Sequence, residues 1–177
     1  YILLGSELGR MVKFKEDNIR AMGRTASGVK GINLDGSKCV CAEVVTEEDK
    51  ILLVTIKGYG KKTLVSEFRE TSRGSKGVKA LNVTEKNGNI ASVKVVDENK
   101  ELVIMTNTGI TMRMSLEQIN TLGRVTQGVR LINLKENQYV STISLVEKQE
   151  ELNEEQEETS EENNIPEQQV NIEESAE

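Results

Sequence analysis

The feature that most restricts this chain is a threefold internal repeat of about fifty residues. Arg24-Thr-Ala-Ser-Gly28-Val29 returns as Arg73-Gly-Ser-Lys-Gly77-Val78 and again as Arg124-Val-Thr-Gln-Gly128-Val129, at offsets of 49 and 51. The same offsets carry Gly9 to Gly58 and Gly109, Ile19 to Phe68 and Ile119, and Asn33 to Asn82 and Asn133. Four columns in one register argue against chance. A period in this range marks solenoids, propellers or arrays, in which each unit buries its apolar face against a neighbour.

Inside each repeat the apolar pattern is that of strands. The second predicts four short ones, at 52–56, 61–66, 78–83 and 90–96, with turns at Gly58-Tyr59-Gly60 and Asn87-Gly88 and a loop through Thr71-Ser72-Arg73-Gly74. Asn-Gly is a strong hairpin signal because both positions tolerate positive φ. Ser115-Leu-Glu-Gln118 reads as a capping box that starts at most one helical turn. The expected fold is therefore all-β, an arc of three four-stranded, propeller-type blades over residues of about 1–50, 51–100 and 101–146. Three blades do not close a ring, so one end is expected to be open. With 3% aromatic residues the core is left to aliphatics, and Val29, Val78 and Val129, with Leu34, Val83 and Leu134, are expected to fill space between blades.

Cations repeat too. Lys13, Lys62 and Arg113 form one column, Arg24, Arg73 and Arg124 a second, and Lys30, Lys79 and Arg130 a third. Lys13 lies between Val12 and Phe14, so strand alternation predicts that its ammonium turns away from the buried face. Nine such cations predict a regularly spaced positive track along an outer rim, suited to displacing counterions from duplex DNA without reading its sequence. The plainer alternative is a set of solvated strand faces. The sharpest local signal is Ser72-Arg73-Gly74-Ser75-Lys76-Gly77, where two cations and two glycines in six residues allow side chains and backbone amides to approach a phosphate together.

The fifty-residue four-stranded repeats, the Arg-x-x-x-Gly-Val columns, Arg73-Gly74-Ser75-Lys76-Gly77 and an acidic end together resemble the C-terminal domain of DNA gyrase A. That family carries a Gln-Arg-Arg-Gly-Gly-Lys-Gly box with degenerate copies. Arg73, Gly74, Lys76 and Gly77 match it, while Ser75 replaces a Gly and Thr71-Ser72 stand where Gln-Arg would be. The first and third copies keep only Arg24 with Gly28 and Arg124 with Gly128. The resemblance covers residues 1 to about 146 and implies a β-pinwheel, of which these would be the last three blades, with duplex DNA wrapped on its basic rim. It also implies a parent type IIA topoisomerase that hydrolyses ATP to supercoil DNA negatively, with partners in the rest of gyrase A and in gyrase B of an A2B2 assembly. The corresponding protein of topoisomerase IV shares the blade type and is the nearest confusable relative, and a propeller-like protein-interaction scaffold is the reading from another functional class.

The chain itself is expected to be non-catalytic, without cofactor or metal. It has no His, which excludes imidazole bases and His-containing triads. Tyr1, Tyr59 and Tyr139 lack the Arg-Tyr setting of the family's nucleophile, and Gly58-Tyr-Gly60-Lys61-Lys62-Thr63 fails as a phosphate loop because position 55 is Thr. Cys39 and Cys41 are expected on one face of a strand, with no third Cys and no His to complete a tetrahedral site. No window approaches the about 18 apolar residues of a membrane span. A reducing cytoplasm, with nucleoid association, is the expected location. The chain opens at Tyr1 inside an apolar run and reads as a piece of something longer.

Charge divides sharply at about residue 146. Residues 1–146 hold 22 Lys plus Arg against 16 Asp plus Glu, a net +6, whereas residues 147–177 hold Lys148 against 13 Glu, a net −12. The acidic stretch lacks the apolar residues to offset chain entropy, so it is expected to be a disordered tail, placed to compete with an anionic ligand or simply to solubilise.

Overall fold

A computed structural model describes residues 1–148. Its strands are β1 (Ile2–Ser6), β2 (Arg10–Phe14), β3 (Cys39–Val44), β4 (Lys50–Thr55), β5 (Tyr59–Leu64), β6 (Val78–Lys79), β7 (Ile90–Val95), β8 (Lys100–Thr106), β9 (Thr111–Ser115), β10 (Val129–Arg130) and β11 (Val140–Glu147). They form three antiparallel sheets in the orders β3-β1-β2-β6, β10-β5-β4-β7 and β11-β8-β9. The all-β, bladed architecture is as expected.

The sheets stack through their apolar faces. In β4 the run Ile51-Leu52-Leu53-Val54 is completely buried, because both faces of the middle sheet are covered. Ile51 and Leu53 pack with Leu3, Met11, Phe68 and Leu81 towards the first blade, whereas Leu52 and Val54 pack with Leu102, Ile104, Leu116 and Ile119 towards the third. Each such side chain contributes roughly 1.5–3 kcal/mol of burial. Phe68 and Ile119 join these clusters, while the equivalent Ile19 packs against a separate one of Val12, Phe14 and Ile32. Val78, Val83 and Leu134 pack against the first two and Leu34 against the third, but Val29 is exposed and Val129 is half-buried outside all three.

A blade, however, is not one sequence repeat. The segment expected to be the third strand of repeat two contributes only Val78 and Lys79, and these pair with Met11 and Arg10 of the preceding sheet. Likewise Val129 and Arg130 pair with Gly60 and Tyr59. Each short strand closes the blade before its own, and the third sheet has three strands among the described residues.

The turns shift accordingly. The β4–β5 hairpin turns through Ile56, Lys57 and Gly58, with φ of 77° at Gly58, and Tyr59 and Gly60 lie inside β5 rather than in the expected turn. Asn87-Gly88 makes no hairpin, because β6 and β7 belong to different sheets. The buried Asn87 amide instead accepts from Thr84 N at 2.7 Å and donates to the carbonyls of Asn82 and Gln127, binding its loop to the next repeat. The expected single turn after Ser115 is a 3-10 helix over Leu116–Gln118, with Ser115 Oγ accepting from Glu117 N at 3.2 Å.

Cys39 and Cys41 do not share a face. A bulge pairs Cys39 with Ser6 and Cys41 with Gly5, leaving one thiol exposed and the other buried, where burial pushes it up to about 12. The acidic stretch starts later than expected, since β11 runs through Glu147 and Lys148 pairs with Glu117 at 3.1 Å. The rest of the expected disordered tail lies outside the described residues. Among those residues no helix is long and apolar enough to cross a membrane.

Candidate nucleic-acid interface

The strand exchange explains the Gly-Val column and places the cations next to it. Gly77 has φ of 70°, and a Cβ there would lie 2.0 Å from the Met11 carbonyl oxygen. Only glycine enters the neighbouring sheet at that point. Gly128 repeats the arrangement, with its Cβ position 2.8 Å from the Gly60 oxygen. The loops leading into these strands then bond to the loop of the repeat before. Arg73 Nη1 donates to the Lys30 carbonyl at 2.8 Å, and Arg124 Nη1 donates to that of Lys79. Asn33 N donates to the Ser75 carbonyl at 2.8 Å and Asn82 N to that of Thr126 at 3.1 Å.

The three cation columns part company in this frame. Two members of the first, Lys13 and Lys62, are not on an outer rim, while Arg113 is exposed. Lys13 is 2% exposed, and its ammonium bonds both Glu47 carboxylate oxygens at 2.8 Å and the Val65 carbonyl at 3.2 Å. Lys62 is 5% exposed, donates to the Leu116 carbonyl at 2.9 Å and pairs with Glu98 at 3.6 Å. Val65 and Leu116 are equivalent residues of the next repeat, so these two lysines latch one blade to another. Arg113 pairs with Glu101 of its own sheet and donates to the Glu147 carbonyl. The hydrogen bond from Lys13 holds Glu47 below the usual carboxylate range, and Lys50, followed by Lys62, does the same for Glu98. Alternation failed at Lys13 because Met11 to Phe14 are all buried. With both faces covered, period two selects which neighbour a side chain meets, not whether it meets water.

The third column is the opposite case. Lys30, Lys79 and Arg130 are exposed, and their side chains bond to the repeated asparagines, Asn33 at 3.4 Å, Asn82 at 3.1 Å and Asn133 at 3.3 Å. Arg130 also donates to the Tyr59 hydroxyl. Among the described residues none of the three pairs with a carboxylate. The second column lies alongside: Arg24 is exposed, Arg73 and Arg124 are half-buried, and each of the latter two is tied to the backbone of a third-column residue. Hydrogen-bonded loops thus hold Arg73 beside Lys30 and Arg124 beside Lys79.

The loop that matches the degenerate box does not offer the expected amide cradle. Gly74 N donates to Gly31 O, Ser75 N to Ser72 O and Gly77 N to Ser75 Oγ, so these donors serve the blade connection. Lys76 is exposed but paired with Asp35 at 2.7 Å, and that bond holds Asp35 below its ordinary value.

One residue in the same frame escaped the sequence reading. Lys61 is fully buried, and its ammonium donates to Gly123 O and Arg124 O at 2.7 Å and to Thr126 Oγ1 at 3.2 Å. It holds the loop that carries Arg124. Burial pushes it down to about 8, with Arg124 adding to the shift and Glu67 opposing it. The signal was available: adjacent lysines within a strand must point to opposite faces.

The repeats are shared with known proteins. A family model described as the DNA gyrase C-terminal domain, beta-propeller, matches residues 1–45, 49–97 and 100–147. DNA gyrase A of Staphylococcus epidermidis is 42% identical over 153 residues, covering 85% of this chain and 17% of that protein. The Staphylococcus aureus protein is 41% identical with the same coverage, so the chain spans about a sixth of the length of these relatives. The solved C-terminal domain of a DNA topoisomerase IV has a TM-score of 0.76 at 25% identity, over 82% of this chain and 46% of that one. A DNA gyrase A C-terminal domain has a TM-score of 0.72 at 22% identity, over 81% and 50%, a likeness of fold. With one matched segment for each repeat and relatives above 40% identity, the chain belongs to the DNA gyrase C-terminal domain family of beta-propellers.

Proposed function

We propose that this chain binds duplex DNA with little sequence preference, as a blade segment of DNA gyrase A that wraps DNA for ATP-dependent negative supercoiling together with gyrase B in an A2B2 enzyme. One observation carries the reading: Lys30, Lys79 and Arg130 recur at equivalent edges, exposed and without carboxylate partners among the described residues. Arg24, Arg73 and Arg124 line the same path, with Lys76 beside it. Regularly spaced cations that displace counterions give affinity for any duplex sequence, and no recognition helix is present among the described residues to add base readout. Lys13 and Lys62 support the path from behind as blade latches, while Arg113 braces its own sheet.

The test is DNA binding by the 177-residue chain with Lys30, Lys79 and Arg130 all changed to Glu. Affinity for unrelated duplexes is expected to fall alike, and the slope of log K against log salt to shrink by about 3, near 0.9 for each phosphate contact. Equal affinity of variant and parent at low salt overturns the rim. A protein-interaction scaffold predicts no such salt dependence in the parent. Relaxation without negative supercoiling by the assembled enzyme would assign the chain to topoisomerase IV instead.

A further inference from the structure

A second positive site lies where the second and third repeats meet, at positions the repeat does not require. Lys57, Lys86, Arg130 and Lys135 line a concave pocket of about 340 Å³, with Ile132 and Leu134 as apolar wall and no Asp or Glu in its lining. Tyr59 also lines it, 8% exposed, with the Lys86 ammonium 5.8 Å and the Arg130 guanidinium 5.4 Å from its ring centroid. The Tyr59 hydroxyl accepts from Arg130 Nη2 at 2.9 Å, which fixes the guanidinium at the pocket wall.

Blade construction does not account for this charge. Lys57 corresponds to Leu8 and Thr108, Lys86 to Asn137 of the third repeat, and Lys135 to Thr84 of the second. Three lysines from unrepeated positions thus line the same concavity as a repeated arginine; the Lys57 ammonium donates to the Glu85 carbonyl, and none of the four cations has a carboxylate partner among the described residues, which leaves their charge for an anion to meet. Tyr59 is covered by two cations and offers no open face for a base to stack on. Arg130 belongs to both this pocket and the exposed third column, so the pocket adjoins the path of the duplex.

We propose that this pocket seats a backbone phosphate of bound duplex DNA and so anchors the duplex at the junction of the second and third blades. The proposal rests on the DNA-binding reading above. Its test compares the 177-residue chain with a Lys86→Gln, Lys135→Gln variant and with a charge-matched Lys15→Gln, Lys38→Gln control, after thermal melts confirm equal stability. The pocket variant is expected to lose about 1 more from the salt slope than the control, and roughly five- to tenfold in affinity at 0.1 M salt. Parent binding with identical slopes in both variants overturns the anchor and leaves the rim standing. A parent without salt-sensitive DNA binding overturns both. Amide shifts in residues 57–59 and 130–135 should appear on adding duplex. If inorganic pyrophosphate shifts them and duplex does not, the pocket belongs to a free anion and the anchor is wrong.

Discussion

Lys62 and Lys79 belong to the same repeat, carry the same charge and recur at the same offsets, yet they have opposite fates. Lys62 is sealed between blades on the Glu98 carboxylate of its own repeat and the Leu116 carbonyl of the next, whereas Lys79 stands in water beside an asparagine. A repeated cation can therefore be frame or face. The difference lies in the partners: each member of the first column meets a carboxylate, Glu47, Glu98 or Glu101, while the third column's side chains bond Asn33, Asn82 and Asn133. A charge neutralised in every copy belongs to the architecture, and one left unneutralised in every copy is available to a ligand.

The largest expected effect removes frame and face together. Gly77→Ala drives a Cβ into the Met11 carbonyl and breaks the β2–β6 pairing, and it should cost about 3–5 kcal/mol in chemical denaturation and weaken DNA binding as well. Gly28→Ala, at a positive φ with nothing within 4 Å, should cost only about 1–2 kcal/mol. Equal losses at the two sites would remove the strand-exchange explanation of the column.

Lys62→Met divides frame from face. Losing the buried bond to Leu116 should cost about 2–3 kcal/mol, with the salt slope of DNA binding unchanged. A slope reduced as far as in Lys79→Gln would place Lys62 on the face after all. Lys13→Met should behave alike, with a pH signature: the Lys13–Glu47 contribution is present above the ordinary pKa of Glu47 and is lost as pH falls through its depressed value.

Lys61 gives a smaller, pH-dependent effect. Between about pH 8 and its ordinary value of 10.5 the unfolded chain keeps a proton that the folded chain releases, so stability rises with pH across that window. Cys41 works against this above pH 9, because its buried thiol keeps a proton that the unfolded thiol loses. Comparing parent with Lys61→Met cancels the thiol, and the parent should gain on the variant from pH 8 to pH 10. A constant difference would mean that Lys61 titrates normally.

The smallest effect concerns the acidic residues. Removing residues 149–177 should tighten DNA binding about twofold at 0.01 M salt and not at 0.15 M, as the Debye length falls from about 30 to about 8 Å. An unchanged affinity at every salt leaves these residues a solubilising role.

Blade number, strand type and the single turn after Ser115 were legible because they follow from local periodicity. Strand partners were not, because alternation identifies a strand without naming its neighbour. Gly60 looked like half of a turn; it lies opposite Val129, a residue of the next repeat. The nine-cation rim followed from the assumption of one wet face, and two of its members fell to a sheet covered on both sides. The pocket around Tyr59 was invisible for a related reason, since Lys57, Lys86 and Lys135 come from loops whose meeting depends on the exchange.

That exchange also imposes a timetable on synthesis. The first sheet begins at Ile2, but its edge strand is complete only when Val78 and Lys79 have emerged. At about 5–20 residues per second, the interval between Phe14 and Val78 is roughly 3 to 13 seconds, during which the outer edge of β2 on the nascent chain has no partner. Translation speed between Phe14 and Lys79 thus governs how long the first sheet remains open to mispairing with a neighbouring nascent chain.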